Sequence, residues 1–399
     1  MKGKHLALLL VLVALAGGGG YFLQKDNDAS WNSKGGAAGG KVLDFPINDV
    51  ARVTIKVTDG ELNLVKKGDE WTVAERADYP AAFEQVSDLI RKLWELKTVQ
   101  DVKVGPSQFA RLELVEPGKE GGAGTVVEFK DKDGKTLAAL LLGKKFLRKS
   151  EGMPGESDGF PAGRYVVPVG GAKVSLVSEA LDNVATKPDA WLKRDFLKIE
   201  NVKSVKLEGQ AETQRWTLAR ENAEWKLADA TPEEKLDPAK VSAFATLFSN
   251  ATFTDVLAPD AKPEDTGLDK PATATFETTD KFIYVVKAGT PSGDNQPITV
   301  AVSAELPKER EPGKDEKPED KTKLDQEFQA TQKRLTDKLA AEKKFESRPY
   351  LIAKTTLDQL LKDRAALLVE KKPEPAPTPP VTATTPPVSV PPAAKPEQP

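Results

Sequence analysis

The chain has no cysteine and a single histidine, His5, among its 399 residues. Without a thiol there is no disulfide, no iron–sulfur cluster, no thiolate zinc site and no cysteine nucleophile. A lipoprotein anchor, which needs a cysteine after the leader, is excluded as well. His5 lies at the extreme N-terminus as a polar flank, so a Ser–His–Asp triad, a histidine metal site and a histidine general base are all missing from the body of the chain. The Ser-x-x-Lys pattern of a lysine-activated serine is absent too: no serine has a lysine three positions on. From the residue types alone we expect no catalytic residues, no cofactor-binding residues, no metal ligands and no cofactor.

Charge of one sign is also lacking. Lys and Arg number 58 and Asp and Glu 61, for a net charge of −3. Broad nucleic-acid binding needs a basic face, so no nucleic-acid partner is expected. With 39% apolar and 30% charged residues, part of the chain should fold around a core and part should stay solvated.

What is present begins with Lys2 and Lys4, followed by an uncharged run from Leu6 to Leu23. Its 18 residues, at about 1.5 Å each, just span a hydrocarbon core of roughly 30 Å. Residues 1–23 read as a signal anchor whose segment 6–23 sits in the lipid bilayer, with Tyr21 and Phe22 at the interface. The competing reading is a signal peptide cleaved after Ala16 in Ala14-Leu15-Ala16. Both put the bulk of the chain outside the cytoplasm. Residues 24–41 form a flexible Gly/Ala-rich tether. Gly35…Gly40-Lys41 resembles half a phosphate-binding loop, but Val42 stands where Ser or Thr is required and no strand precedes it.

The folded region repeats itself. Trp71 and Trp225 are 154 positions apart, as are Asp101-Val102 and Asp255-Val256, Leu114 and Leu268, and Pro117 and Pro271. Ile90, Leu93 and Trp94 meet Phe244, Leu247 and Phe248 at the same offset. "INDVARVTI" meets "IENVKSVKL" at 152, which predicts two extra residues in the second hairpin turn. We read two tandem α+β units, 42–196 and 197–371, joined through "TKPDAWLKRDFLKI". Each opens with a hairpin ("ARVTIKV" and "ELNLVKK" around Thr58-Asp59-Gly60), a third strand at "EWTVAE" and an amphipathic helix. In the first unit that helix should bury Phe83, Val86, Ile90 and Leu93; in the second, Asp237 can cap and Pro238 suits the first helical position. A strand follows at "TVQDVKV" or "ATFTDVL", then a hairpin such as the one around Asp133-Gly134. Each unit should end in a strand and a helix, at "GRYVVPV…VSLVSEALDNV" and at "RPYLIAKTTLDQLLKD". The second unit carries a charged insertion, 307–345, whose later half reads as a solvated helix with a thin apolar edge of Leu324, Phe328, Leu335 and Leu339. Residues 372–399 are a Pro-rich tail that cannot form a core and should be extended and disordered.

Several residues invite a chemical reading. Asp131-Lys132-Asp133-Gly134 looks like a calcium loop with the wrong spacing, and a β-turn explains it better. Asp101 and Asp255 recur at matching sites, where a turn or cap role outweighs catalysis. Trp71 and Trp225 could stack on a ligand, but strand-start positions favour core packing. Asn250-Ala251-Thr252 is a common triplet and carries no argument.

The frame "V…V.I…….L.L.K….W.V", then "Y.VP…..V.LVS…LD" and "P.AWLKRDFLKI", with Tyr165, Trp191 and Arg194, resembles the bacterial domain-of-unknown-function 4340 (DUF4340) family, here as two copies. The likeness covers roughly residues 1–300 and returns near 348–365. It implies a single-pass protein of the bacterial inner membrane, with its C-terminal bulk on the periplasmic side and no assigned catalytic residues. It further implies association with ABC-type transport systems of the gliding-motility kind, whose permease and ATPase subunits would be the partners. The expected function is a non-catalytic auxiliary or scaffold component. The alternatives are a carboxylate-dependent envelope enzyme acting on glycans, which needs two converging acids, and a cell-envelope binding module, which needs an exposed aromatic platform.

Overall fold

The computed structural model describes residues 39–148, 160–312, 316–317 and 319–370. The leader 1–23, most of the tether and the tail 372–399 lie outside the described residues. No helix among the described residues is long and apolar enough to cross a membrane.

The first half runs β1 (Arg52–Val57), β2 (Gly60–Lys67), β3 (Glu70–Val73), β4 (Tyr79–Pro80), α1 (Phe83–Glu95), β5 (Thr98–Val102), β6 (Thr125–Lys130), β7 (Thr136–Arg148), β8 (Phe160–Pro168) and β9 (Val174–Val177). The second runs β10 (Val202–Glu208), β11 (Arg215–Glu221), β12 (Glu224–Leu227), α2 (Pro238–Val241), β13 (Asp255–Val256), α3 (Pro263–Thr266), β14 (Ala272–Thr278), β15 (Phe282–Ala288), β16 (Asn295–Ala304), α4 (Lys321–Glu342), β17 (Tyr350–Ala353) and α5 (Lys354–Leu360). These strands form two antiparallel sheets, of nine strands ordered β4-β3-β2-β1-β6-β7-β8-β9-β5 and of eight ordered β12-β11-β10-β14-β15-β16-β17-β13. The fold is α+β. Apart from the short edge strand β4, the second sheet retraces the strand path of the first.

Register carries the likeness further. Ile55 pairs with Leu62 across the first hairpin, and Leu207 with Trp216 across the matching one. The second turn is thus longer by the two residues the offsets predict. β1 and β2 join through Thr58-Asp59 alone, with Val57 opposite Gly60. The turn around Asp133-Gly134 is also found: Asp131 Oδ1 accepts from the amides of Asp133 and Lys135, each at 2.9 Å, and Gly134 takes φ 83°. The carboxylate that resembled a calcium ligand is spent on its own loop.

The helices depart from expectation. α1 buries Val86, Leu89, Ile90 and Leu93, but Phe83 is 61% exposed. Helical side chains lean toward the N-terminus, so an aromatic at the first helical position has no preceding turn to pack over. In the second half the helix shrinks to α2, capped as expected by Asp237, which accepts from the Ala239 amide at 3.0 Å. Beyond α2 the chain tightens into a 3-10 turn over Ser242–Ala245. Hydroxyls of Ser242 and Ser249 bond carbonyls three residues back, competing with the α pattern. Phe244 and Phe248 are nevertheless buried. At the end of the first half, Val174–Val177 is strand β9, and no α-helix follows, only a 3-10 turn over Pro188–Trp191. Arg164 donates to the Leu181 carbonyl at 3.4 Å and Lys145 pairs with Asp182, which holds this segment against the β7–β8 hairpin instead. Its counterpart after β17 does form a helix, α5.

One core runs through both sheets. It includes Val53, Ile55, Phe129 and Leu140 of the first, and Val205, Phe276, Tyr284 and Ile298 of the second. Each fully buried aliphatic or aromatic side chain contributes roughly 1.5–3 kcal/mol. A smaller cluster of Leu114, Val126, Leu141, Val167 and Val174 covers the opposite face of the first sheet. α4 joins the main core along a thin edge: Leu335 is buried in it, while Leu324, Phe328 and Leu339 are half-buried.

Candidate functional site

The two sheets meet at an aromatic junction. Tyr79 of β4, Phe196 of the connecting segment, Phe253 before β13, and Phe345 and Tyr350 around the end of the insertion pack together. Ring centroids lie 4.9 Å apart for Phe196–Tyr350, 5.2 Å for Phe196–Phe345 and 5.7 Å for Tyr79–Phe253. Offset and edge contacts of this kind add to plain area burial. The connecting segment places Phe196 there because Trp191, Leu192, Phe196, Leu197 and Ile199 turn inward while the residues between them face solvent. Its backbone extends the first sheet's edge: the Lys193 amide donates to the Pro80 carbonyl at 2.9 Å and the Ala82 amide to Trp191 at 2.8 Å.

Three arginines clamp the junction. Arg76 binds Asp255 through Nε–Oδ1 and a second N–H to Oδ2, both at 2.7 Å. The hydrogen bond that Arg76 donates to Asp255, ahead of opposing desolvation, raises the Arg76 pKa. Arg194 donates to the carbonyls of Phe253, Thr254 and Asp189 at 2.6 to 2.8 Å and lies 5.3 Å from the Phe253 ring. Arg348 donates to the Arg76 carbonyl at 2.9 Å and lies 5.1 Å from the Tyr79 ring. Burial, reinforced by the neighbouring Tyr350 phenol, pushes the Tyr79 hydroxyl well above the usual tyrosine range, so it stays a neutral member of the cluster.

Above the aromatics opens a cleft of about 600 Å³, floored by Tyr79, Phe196, Phe345 and Tyr350. Lys193, Lys198, Lys338, Lys344 and Arg348 line it, against Glu70, Asp195 and Glu342. Glu342 is spent internally: it accepts from the Tyr284 hydroxyl at 2.7 Å, the Lys198 amide at 3.1 Å and Lys338 Nζ at 3.1 Å. Burial, then the Glu342 hydrogen bond and charge, push Tyr284 far up. Lys193 pairs loosely with Asp195 at 3.4 Å. Lys198 and Lys344 have no ion-pair partner among the described residues. The arrangement can hold an apolar body under an anionic group.

A second exposed feature is an arm. β7 and β8 continue beyond their neighbours, with Leu147 opposite Pro161 and Arg148 opposite Phe160. β6 pairs no further along β7 than Leu142, and β9 no further along β8 than Arg164. Leu147 and Phe160 are 41% and 52% exposed on this two-stranded extension, beside Lys144, Lys145 and Arg148.

The residues singled out by sequence fall in several places. Asp101 and Asp255 occupy matching strands, but neither makes a turn or a cap, a correction to expectation. Asp101 sits in β5 and pairs with Lys173 at 2.9 Å; Asp255 is the anion of the clamp. They lie in different sheets and do not converge. Trp71 is buried as expected, whereas Trp225 is only half-buried, with Arg220 5.7 Å from its ring. Lys41 places its Nζ 3.5 Å from the Trp94 ring centroid. Trp191 is buried and donates to the Ala185 carbonyl at 2.9 Å. Tyr165 packs edge-on against Phe146. Among the described residues no group of three or more acids could hold a metal ion. Sequence reasoning missed the cleft, because its walls come from residues 70–80, 193–198 and 338–350; the only local signal was the alternation of aromatics and lysines in "WLKRDFLKI".

A family model described as "Domain of unknown function (DUF4340)" matches residues 71–271. The match is a single domain that begins in β3 and ends just before β14, so it runs across both sheets. No curated protein and no solved structure matches the chain.

Proposed function

From the premise that this chain belongs to the DUF4340 family, matched over half its length, we propose a non-catalytic, membrane-anchored envelope protein that works through protein contacts. It serves as an auxiliary or scaffold subunit of an ABC-type transport system of the gliding-motility kind. Residues 6–23 anchor it in the inner membrane and the two sheets stand on the extracytoplasmic side. The two sheets are tandem copies of one unit; the repeated strand path and the two-residue surplus in the second hairpin support that reading.

The observation that carries the contact role is the β7–β8 arm. Large apolar side chains left exposed on a two-stranded extension, rimmed by cations, are the composition of a protein-contact surface. The glycan-enzyme alternative draws no support from Asp101 and Asp255, which belong to separate sheets and are each paired with a cation.

The test is gentle crosslinking in native membranes, purification through a C-terminal tag and mass spectrometry. Permease and ATPase subunits should be recovered with the wild-type chain and not with a tagged unrelated anchored protein. Leu147→Asp with Phe160→Asp should reduce that recovery at least fivefold while the protein level stays constant. Recovery of the chain alone would sink the proposal.

A further inference from the structure

We propose that the cleft at the junction is a binding site for a small amphipathic anion: one carboxylate, or a group of like charge, attached to an apolar ring or chain. Three observations on the same site carry this. The volume, about 600 Å³, falls in the range of small-molecule sites, which favour the seams between structural units. The floor is aromatic and made of side chains already locked by packing, Phe196 and Tyr350 at 7% and 1% exposure, so it is formed before any ligand arrives.

The wall chemistry then selects the sign of the charge. Of the three acids at the cleft, Glu342 is consumed by Tyr284, Lys338 and the Lys198 amide, Asp195 offsets Lys193, and Glu70 is the third; with Lys193, Lys198, Lys338, Lys344 and Arg348 opposite, five cations face three carboxylates and the wall keeps a net charge of +2. Lys198 and Lys344 form no ion pair among the described residues, and each is close in sequence to a floor aromatic, two residues after Phe196 and one before Phe345. A neutral ligand would leave both ammonium groups to water, and a cation would be repelled. An anion whose apolar part covers the rings satisfies floor and wall together. The cleft and the β7–β8 arm lie on different elements, so this site can exist whatever the arm binds.

The shared chemistry has two sources, a fatty-acid chain or a free aromatic acid, and the probes separate them. The full-length chain in a nonionic detergent is titrated by calorimetry with octanoate, with 2-naphthoate, and with their neutral counterparts 1-octanol and 2-naphthol, against detergent blanks. We expect saturable binding of one acid per chain and at least tenfold weaker binding of its alcohol. Lys198→Gln with Lys344→Gln should weaken the acid at least tenfold. Both lysines are exposed, so the urea midpoint of the double variant should not move. Preference for octanoate identifies a lipid-derived ligand, and preference for 2-naphthoate an aromatic metabolite. Failure of both acids to saturate, equal binding of acid and alcohol, or affinity untouched by the double variant at an unchanged midpoint would each overturn the assignment.

Discussion

Breaking the Arg76–Asp255 pair should loosen the joint between the sheets by a measurable and separable amount. The pair spans 179 positions of sequence and makes two charge-assisted bonds of 2.7 Å. The side chains are 26% and 21% exposed, which places the pair between two regimes. Fully exposed pairs contribute about 0–1 kcal/mol, and truncating one partner of a buried pair costs about 3–5 kcal/mol. Discounted for solvent screening, Asp255→Ala should cost about 2–3 kcal/mol, part of it the guanidinium left beside the junction without its anion. Arg76→Ala should cost about 1.5–2.5 kcal/mol: it forfeits the 3.0 Å bond to the Glu75 carbonyl, but leaves Asp255 with the Val256 amide as a donor at 2.8 Å. The double variant should fall short of the sum by about 1–2 kcal/mol, the coupling of the pair itself. Urea unfolding of the four proteins, followed by tryptophan fluorescence, measures each term from the midpoints and a common slope. The shared core predicts that all four unfold in one transition. A coupling below about 0.3 kcal/mol would refute the view that this pair helps lock the sheets.

Two further outcomes follow from local geometry. A methyl group on Gly289 would press into the Thr266 carbonyl and one on Gly143 into the Leu112 carbonyl, so either Gly→Ala change should cost about 1–3 kcal/mol by thermal or urea melting. Gly60→Ala, with nothing near its added methyl, should stay within about 0.5 kcal/mol of wild type. Glu234 is bound by Arg364 at 2.8 and 2.9 Å, and this hydrogen bond, aided by the Thr231 amide, holds its pKa down to about 2. A carboxylate depressed on folding adds stability that is full above its unfolded value near 4.3 and is lost as pH falls through the folded one. The stability gap between wild type and Glu234→Gln should therefore be constant above about pH 5 and close between about pH 4 and 2; a gap that persists at pH 2 would contradict the assignment.

How much of this was legible depended on how local the cause was. Hairpins read well because alternation and turn residues act over a few positions: β14 and β15 bury Ala274, Phe276, Tyr284 and Val286 on one face, as their period-two pattern dictates. The two-residue surplus between Leu207 and Trp216 was legible for the same reason. Helices read less well. "VSAFATLFSN" has apolar residues at helical spacing, yet its hydroxyls and β-branched residues tip the backbone to tighter turns. Leu181, at φ 53°, shows tertiary contacts with Arg164 overriding a helical pattern. The junction was the least legible part. Asp255 carries the marks of a turn residue, and only the approach of Arg76 from the other sheet makes it a clamp. Phe196, Phe345 and Tyr79 each look like ordinary core aromatics until the fold brings them into one cluster.

The asymmetry between the sheets bears on where function resides. In the first sheet the strands β8 and β9 are joined by residues 169–173; in the second, β16 and β17 occupy the matching places but are joined by residues 305–349, including α4. Lys338, Glu342, Lys344 and Phe345 of the cleft all come from this long connection, and Arg348 from its exit. The first sheet therefore lacks one wall of the cleft by construction, although it supplies Tyr79 and Glu70 to the other side. A cleft made only where an elaborated connection from one sheet meets the edge of the other needs both sheets held in one relative pose. That need gives the Arg76–Asp255 pair and the Arg348 contacts a purpose beyond stability. It also means that loosening the clamp should weaken ligand binding at the cleft before it unfolds either sheet.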